Sequence, residues 1–236
     1  MARGADPEDA ELFAAEHVPT LRTAVAELSW LLERRYAEVS ALELVGNRHR
    51  LRKRQRDAVR RSSCSDVARH ARAARQVVTA GLRGRTLAID GFNVLITLEA
   101  AIAGAPIFRG RDGVMRDIAS VHGNWRRVDS TAAAIDGIAA FACEHGLAAA
   151  TWLLDRPVAN SGRLAALIEA HPSAEALGWR VELPFDPDAT LRATTELVAT
   201  ADATVLDACG PWVDLVGDVI ARVAPQAWVL ELGEAD

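Results

Sequence analysis

Thr86-Leu87-Ala88-Ile89-Asp90-Gly91-Phe92-Asn93-Val94-Leu95 decides the fold of this chain. A short apolar run reads as a strand and stops at an acid. Asp-Gly is a common turn dipeptide, and from Val94 to Ala103 the residues read as helix. Working outward, Ala149-Ala150-Thr151-Trp152-Leu153-Leu154-Asp155 repeats the run that ends in an acid. Trp179–Leu183 and Glu196–Thr200, the latter just before Asp202, read as two more strands, and Ala227–Leu232 as the last. Helical stretches over 94–103, 131–145, 161–170, 203–209 and 213–223 separate most of them. This alternation implies right-handed crossovers and an α/β domain with a mostly parallel sheet sandwiched by helices.

Residues 1–82 read as helix throughout, a small all-helical module ahead of the α/β domain. Asp6-Pro7 and Pro19-Thr20 open the first two helices. Ser40 with Glu43 forms a capping-box pattern for a third, ending at Gly46-Asn47. A basic helix follows, then a final one capped near Ser63 or Ser65. Gly81–Gly84 is a short hinge, which places the boundary between 1–82 and 85–236.

With 236 residues, 50% hydrophobic and 25% charged, the chain has the make-up of an ordinary globular protein rather than a disordered one. No apolar run reaches the ~18–20 residues of a membrane span, and the polar, acidic start does not read as a signal peptide. Cys64, Cys143 and Cys209 are odd in number and widely spaced, which argues against a disulfide framework or a thiolate zinc site and favours the cytoplasm. A P-loop and a Gly-x-Ser-x-Gly elbow are both missing.

The net charge of −5 hides a segregation. Residues 1–45 carry 4 arginines against 9 acids, 46–89 carry 13 basic residues against 2 acids, and 90–236 carry 10 arginines against 21 acids. The middle block, densest from Gly46 to Arg61 and including Arg52, Arg54 and Arg56, must pair with its acidic neighbours or face a polyanion. Arg69, Arg72 and Arg75 recur on one helix face. Either this is a solvated surface, or it contacts nucleic-acid phosphates, with RNA as the expected partner. A homo-oligomer is compatible with the sequence.

Parallel sheets bind ligands at the carboxyl ends of their strands, and Asp90, Asp155 and Asp202 lie at or just after three such ends. Taken singly, each is an ordinary turn or cap residue. Gathered together they repel, and need raised pKa values or cations between them. Oxygen ligands with no His or Cys nearby favour Mg²⁺ or Mn²⁺.

Leu87-Ala-Ile-Asp90-Gly-Phe-Asn93-Val-Leu95 resembles the first-strand motif of NYN-type members of the PIN-like nuclease superfamily. Leu153-Leu154-Asp155 is similar to that superfamily's second-strand acid, and Val198-Ala-Thr200-Ala-Asp202 to its Thr-Ser/Ala-Asp motif. The resemblance spans roughly 86–232. It implies that Asp90 holds a metal and that Asn93 orients a water or phosphate oxygen. Asp155 and Asp202 would complete the cluster, with Asp207 an auxiliary ligand. The implied reaction is hydrolysis of an RNA phosphodiester by metal-activated water. The family's further acid has three candidates here: Asp112, Asp117 and Asp136. A PIN-like domain without chemistry, serving as an RNA or protein adaptor, is the alternative, and a small-molecule phosphohydrolase a third. The segment Leu44-Val-Gly-Asn-Arg-His-Arg-Leu51 also resembles one found in an uncharacterised prokaryotic family that joins a helical module to such a domain.

Three further stretches are candidates. Asn160, Ser161 and Arg163 cluster at a helix start, a natural anion site just after Asp155. Arg109–Gly113 reads as a hairpin or a phosphate clamp. Val121–Arg127 places Trp125 either in the core or as a base-stacking platform beside two arginines.

Overall fold

The computed structural model describes residues 4–119 and 124–233. The segment Val121-His122-Gly123 of the Trp125 stretch lies outside the described residues. The N-terminal region forms helices α1 (Asp9–Leu12), α2 (Val18–Glu33), α3 (Glu38–Arg48), α4 (Lys53–Ser62) and α5 (Asp66–Arg75). Pro19 sits in the first turn of α2, where its missing N–H is harmless. Ser65 Oγ accepts from the Ala68 amide and caps α5. The third helix departs from expectation: α3 begins at Glu38, before Ser40, and runs through Gly46. The glycine serves close approach instead of a stop, because a Cβ there would lie 2.6 Å from the Arg56 guanidinium. The chain turns at Arg50, whose φ of 53° is left-handed.

Beyond residue 85 the order is β1 (Thr86–Asp90), α6 (Gly91–Ile102), β2 (Ile107–Arg109), β3 (Met115–Arg116), α7 (Ser130–Glu144), β4 (Ala149–Leu153) and α8 (Ser161–Glu169). Then come β5 (Trp179–Glu182), α9 (Pro187–Ala193), β6 (Leu197–Ala199), α10 (Ala203–Ala208), α11 (Leu215–Val223) and β7 (Val229–Glu231). Four strands form a parallel sheet in the order β5-β4-β1-β6, with Asp90 opposite Leu153 and Ile89 opposite Ala199. Both faces are covered, which is why its strands are apolar at nearly every position. Leu87, Ile89, Trp152 and Leu197 join a core with α6, α7, α8 and α11. Ala88, Leu153 and Val198 face the other way, onto α9 and α10.

The last strand corrects the simplest reading of the sequence. Instead of extending the parallel sheet, β7 pairs with β2, and β2 with β3, in a separate three-stranded sheet. Strands of two and three residues carry too little pattern to be read from sequence. Arg109–Gly113 thus belongs to a hairpin. This small sheet also shows how the helical region is held. Ile107 points into the core of the parallel sheet, while its neighbour Phe108 enters the helical core with Leu230 and Leu232. Phe13 meets Phe108 edge-on, ring centroids 4.9 Å apart. The helices therefore close over residues from the far end of the chain. Phe108→Ala should cost about 3–5 kcal/mol and lower the midpoint of one shared unfolding transition. Two separate transitions in a denaturant melt, with only one moved, would contradict a shared core.

Candidate active site at the carboxyl edge of the parallel sheet

In the order β5-β4-β1-β6 the connections run to one side of β1 and then return to the other, so the sheet switches direction between β1 and β6. Ligands of open α/β sheets sit at such a point, beyond the carboxyl ends of the strands. Asp90 ends β1 there. It stands at the start of α6 without capping that helix. Its side chain is buried, and Thr200, just past β6, donates Oγ1 to Asp90 Oδ2 at 2.7 Å. Thr200 Oγ1 also accepts from the Asp202 amide at 3.0 Å. Asn93, in the first turn of α6, accepts the Ala201 amide on Oδ1 at 2.7 Å. The Asp-Gly-Phe-Asn turn and the Thr-Ala-Asp turn are thereby laced together across the switch point. Gly91 is required by proximity, because a Cβ would meet the Leu154 side chain and lie 3.0 Å from the Leu153 carbonyl oxygen.

Burial pushes the Asp90 carboxyl up to about 7 against the opposing hydrogen bond from Thr200, and the charges of Asp188, Asp202 and Asp155 push the same way. Asp155, half-buried past β4, is raised by burial and then by Asp186. Asp188 is raised by burial, then by Asp202, with Asp155 and Asp186 adding to it. Asp202 caps α10, its Oδ1 accepting from Thr204 at 2.7 Å and Val205 at 3.1 Å. Asp90, Asp155 and Asp202 thus lie in one negative field, and Asp188 joins them. The sequence signal for it was Asp186-Pro187-Asp188: Asp186 caps α9 through the Ala189 amide at 2.9 Å, with Pro187 in the first turn. A seven-residue helix has too short an apolar pattern to announce itself.

Of the three candidates for a further acid, Asp117 lies one helical turn from Asn93, through Thr97, while Asp112 and Asp136 have other partners. Asp112 is buried between Arg72 and Arg116, which hold its carboxyl far below the ordinary range despite burial. Asp117 accepts from Thr97 Oγ1 at 2.7 Å. Asp136, exposed on α7, pairs with His171 at 3.0 Å. Asp207 is bound to Arg72 at 2.7 Å and takes no part in the acidic group. Among the described residues no three His, Cys, Asp or Glu side chains close on one point as ligands of an ion.

The expected phosphate contacts are largely spent on the fold. Arg54 makes a double hydrogen bond to Asp9, whose side chain is 0% exposed, at 2.7 and 2.9 Å. Arg56 is occupied by Asn47 Oδ1 and the Leu51 carbonyl, both at 2.9 Å. Arg52 remains exposed, 3.4 Å from Glu8. Asn160, left-handed at φ 68°, donates Nδ2 to Asn124 Oδ1 and the Trp125 carbonyl, pinning that loop. Ser161 is buried at the start of α8 and Arg163 is exposed. Trp125 lies in the core. Arg60 and Arg61 instead line a groove of about 340 Å³ that also takes in Asp202, Thr204 and the buried Arg72 and Arg116, with Arg60 3.8 Å from Glu38.

A carboxyl raised in the folded state takes up its proton before the unfolded chain's does as pH falls. Stability is therefore lost as pH rises from the unfolded value near 3.8 through about 7. Asp90→Asn removes that loss. It should stabilise the protein at pH 8 by at most roughly 4 kcal/mol and change little at pH 4, as thermal melts at the two pH values would read. Equal effects at both would show that Asp90 is not destabilised by its charge.

Residues 79–218 match the family model described as Domain of unknown function (DUF5616), and residues 20–75 match Protein of unknown function (DUF434). The chain is 30% identical over 187 residues to Uncharacterized protein MJ0935 of Methanocaldococcus jannaschii, covering 79% of this chain and 89% of that protein. No solved structure matches the chain. The first model spans all four strands of the parallel sheet together with Asp90, Asn93, Asp155, Asp188 and Asp202. By that match the chain belongs to the DUF5616 family.

Proposed function

We propose that this protein is a metal-dependent, PIN-like ribonuclease, its chemistry centred on Asp90, Asp155, Asp188 and Asp202. One observation carries the reading: a carboxyl buried at the switch point of a parallel sheet, with the strongest charges acting on it all negative. Such an arrangement favours a hard divalent cation, Mg²⁺ or Mn²⁺, which relieves the repulsion and binds through oxygen. The carboxylates of Asp90, Asp155, Asp188 and Asp202 are the hard oxygen donors that such an ion takes. The ion would supply an activated water and a polarised phosphodiester. Asn93, whose Oδ1 is taken by the Ala201 amide, would in this reading offer its Nδ2 to a water or phosphate oxygen. RNA would approach along the groove bearing Arg60 and Arg61. Three free cysteines fit the cytoplasm, and among the described residues no helix is long and apolar enough to cross a membrane.

The second reading is an adaptor that binds RNA or protein without cleaving it. It is favoured by Asp202's engagement as a helix cap and by the lack of three ligands already converged.

Incubation with single-stranded and structured RNA in Mg²⁺ or Mn²⁺ separates the two. Cleavage by wild type that falls to the no-enzyme level in Asp90→Asn and Asp188→Asn supports the nuclease; RNA binding with no cleavage supports the adaptor. The arginines divide in a second experiment. Arg60→Gln with Arg61→Gln should weaken RNA binding and flatten its salt dependence, because each lost phosphate contact reduces counterion release. Arg54→Gln should instead cost about 3 kcal/mol of stability by stranding buried Asp9. Denaturant melts and binding isotherms across a salt series read the two effects apart.

A further inference from the structure

Asp112 lies in the β2–β3 turn with its side chain 1% exposed, between two guanidiniums of separate origin. Arg72 of α5 donates Nη1 to Oδ2 at 2.5 Å, and Arg116 of β3 donates Nη1 and Nη2 at 2.9 and 2.6 Å. Both arginines are themselves buried. Charges removed from water must have their remaining donors satisfied, and these donors converge on one segment. Arg116 Nε donates to the Ala201 carbonyl at 2.6 Å, Arg72 Nη2 to the Ala203 carbonyl at 3.3 Å, and Arg72 Nε to Asp207 at 2.7 Å. Residues 201 and 203 are the two neighbours of Asp202.

The other end of α10 is held from the same helix. Arg75 donates to the Leu206 carbonyl at 2.8 Å and to that of Cys209, while Trp212 Nε1 donates to the Arg72 carbonyl at 2.8 Å. At six residues, α10 is too short to hold its own conformation. Besides Asn93 and Thr200 at its start, α5 and β3 hold it through these bonds to its backbone.

We infer that Arg72, Asp112 and Arg116 are positioning residues for Asp202, so that the N-terminal helical module is a working part of the acidic site and not a separable RNA-binding appendage. The inference rests on the ribonuclease reading for its functional meaning, and its structural half can be tested without it. An arginine fork reaches Asp112, Asp207 and the Ala203 carbonyl together; a lysine ammonium at Arg72 keeps the charge and cannot span all three.

The test uses the full chain and Arg72→Lys, with melting checked first. Amide hydrogen exchange at Thr204 and Val205, whose N–H groups Asp202 caps, should speed up by about tenfold or more while amides of Leu87–Ile89 keep their protection. The Mn²⁺ concentration for half-maximal RNA cleavage should rise by about tenfold or more, with KM for RNA within about twofold of wild type. Asp207→Asn removes only the half-exposed partner of Arg72 and should move both readouts in the same direction by less. Unchanged exchange at Thr204 and Val205 in both variants overturns the proposal. A raised KM with an unchanged Mn²⁺ requirement overturns it too, since that is the behaviour of a substrate-binding appendage. Should wild type cleave no RNA, the ribonuclease reading fails, and the exchange measurement alone decides the positioning role.

Discussion

Asp90 carries its carboxyl in a place where water barely reaches, and much of the surrounding structure meets at that group. Burial alone disfavours the ionised form. Nearby, Thr200 offers one hydroxyl hydrogen bond, and the acids beside it make ionisation harder still. What the fold contributes is rigidity. The β1–α6 turn cannot move away from the β6–α10 turn while Asn93 holds the Ala201 amide and Thr200 holds both Asp90 and the Asp202 amide. Gly91 permits that closeness, because β4 passes too near for a side chain. Strain of this electrostatic kind is common at sites that bind cations or move protons.

The site reaches beyond the parallel sheet for its support. Arg116 arrives from the small second sheet and Arg72 from the fifth helix, and both end on the backbone flanking Asp202. The acidic and basic blocks of the chain are thus partly reconciled inside the molecule. Arg54 with Asp9, Arg72 with Asp112 and Asp207, and Arg111 with Asp66 each join segments far apart in sequence. The part of the basic block that faces the groove is smaller than the sequence suggests, and lies at the end of α4.

β1, β4 and β6 were legible because they are largely buried, so each reads as an apolar run with Asp90, Asp155 or Asp202 at or just past its end. The helices between them were legible from their period. Asp90, Asp155 and Asp202 followed, since strand ends in a parallel sheet lie side by side, whereas Asn93 came only from the resemblance of the Asp-Gly-Phe-Asn motif. Asp188 was hidden because its position depends on a seven-residue helix returning over the sheet edge. The destinations of Arg54, Arg72 and Asp207 were hidden for a different reason: an ion pair between distant segments leaves no local period. Gly46 misled for a third reason, standing inside a helix to admit a neighbouring guanidinium where a helix end was expected.

The pairing of β2 with β7 joins residues 107–109 to residues 229–231. Leu230 and Leu232 fill the helical core from that strand. During synthesis the arginine-rich helices leave the ribosome well before the strand that floors their core. They must wait, with part of their apolar surface uncovered, until β7 has emerged. A protein with this wiring finishes its N-terminal half and its acidic edge together, and a chain cut short before β7 completes neither the helical core nor the small sheet beneath it.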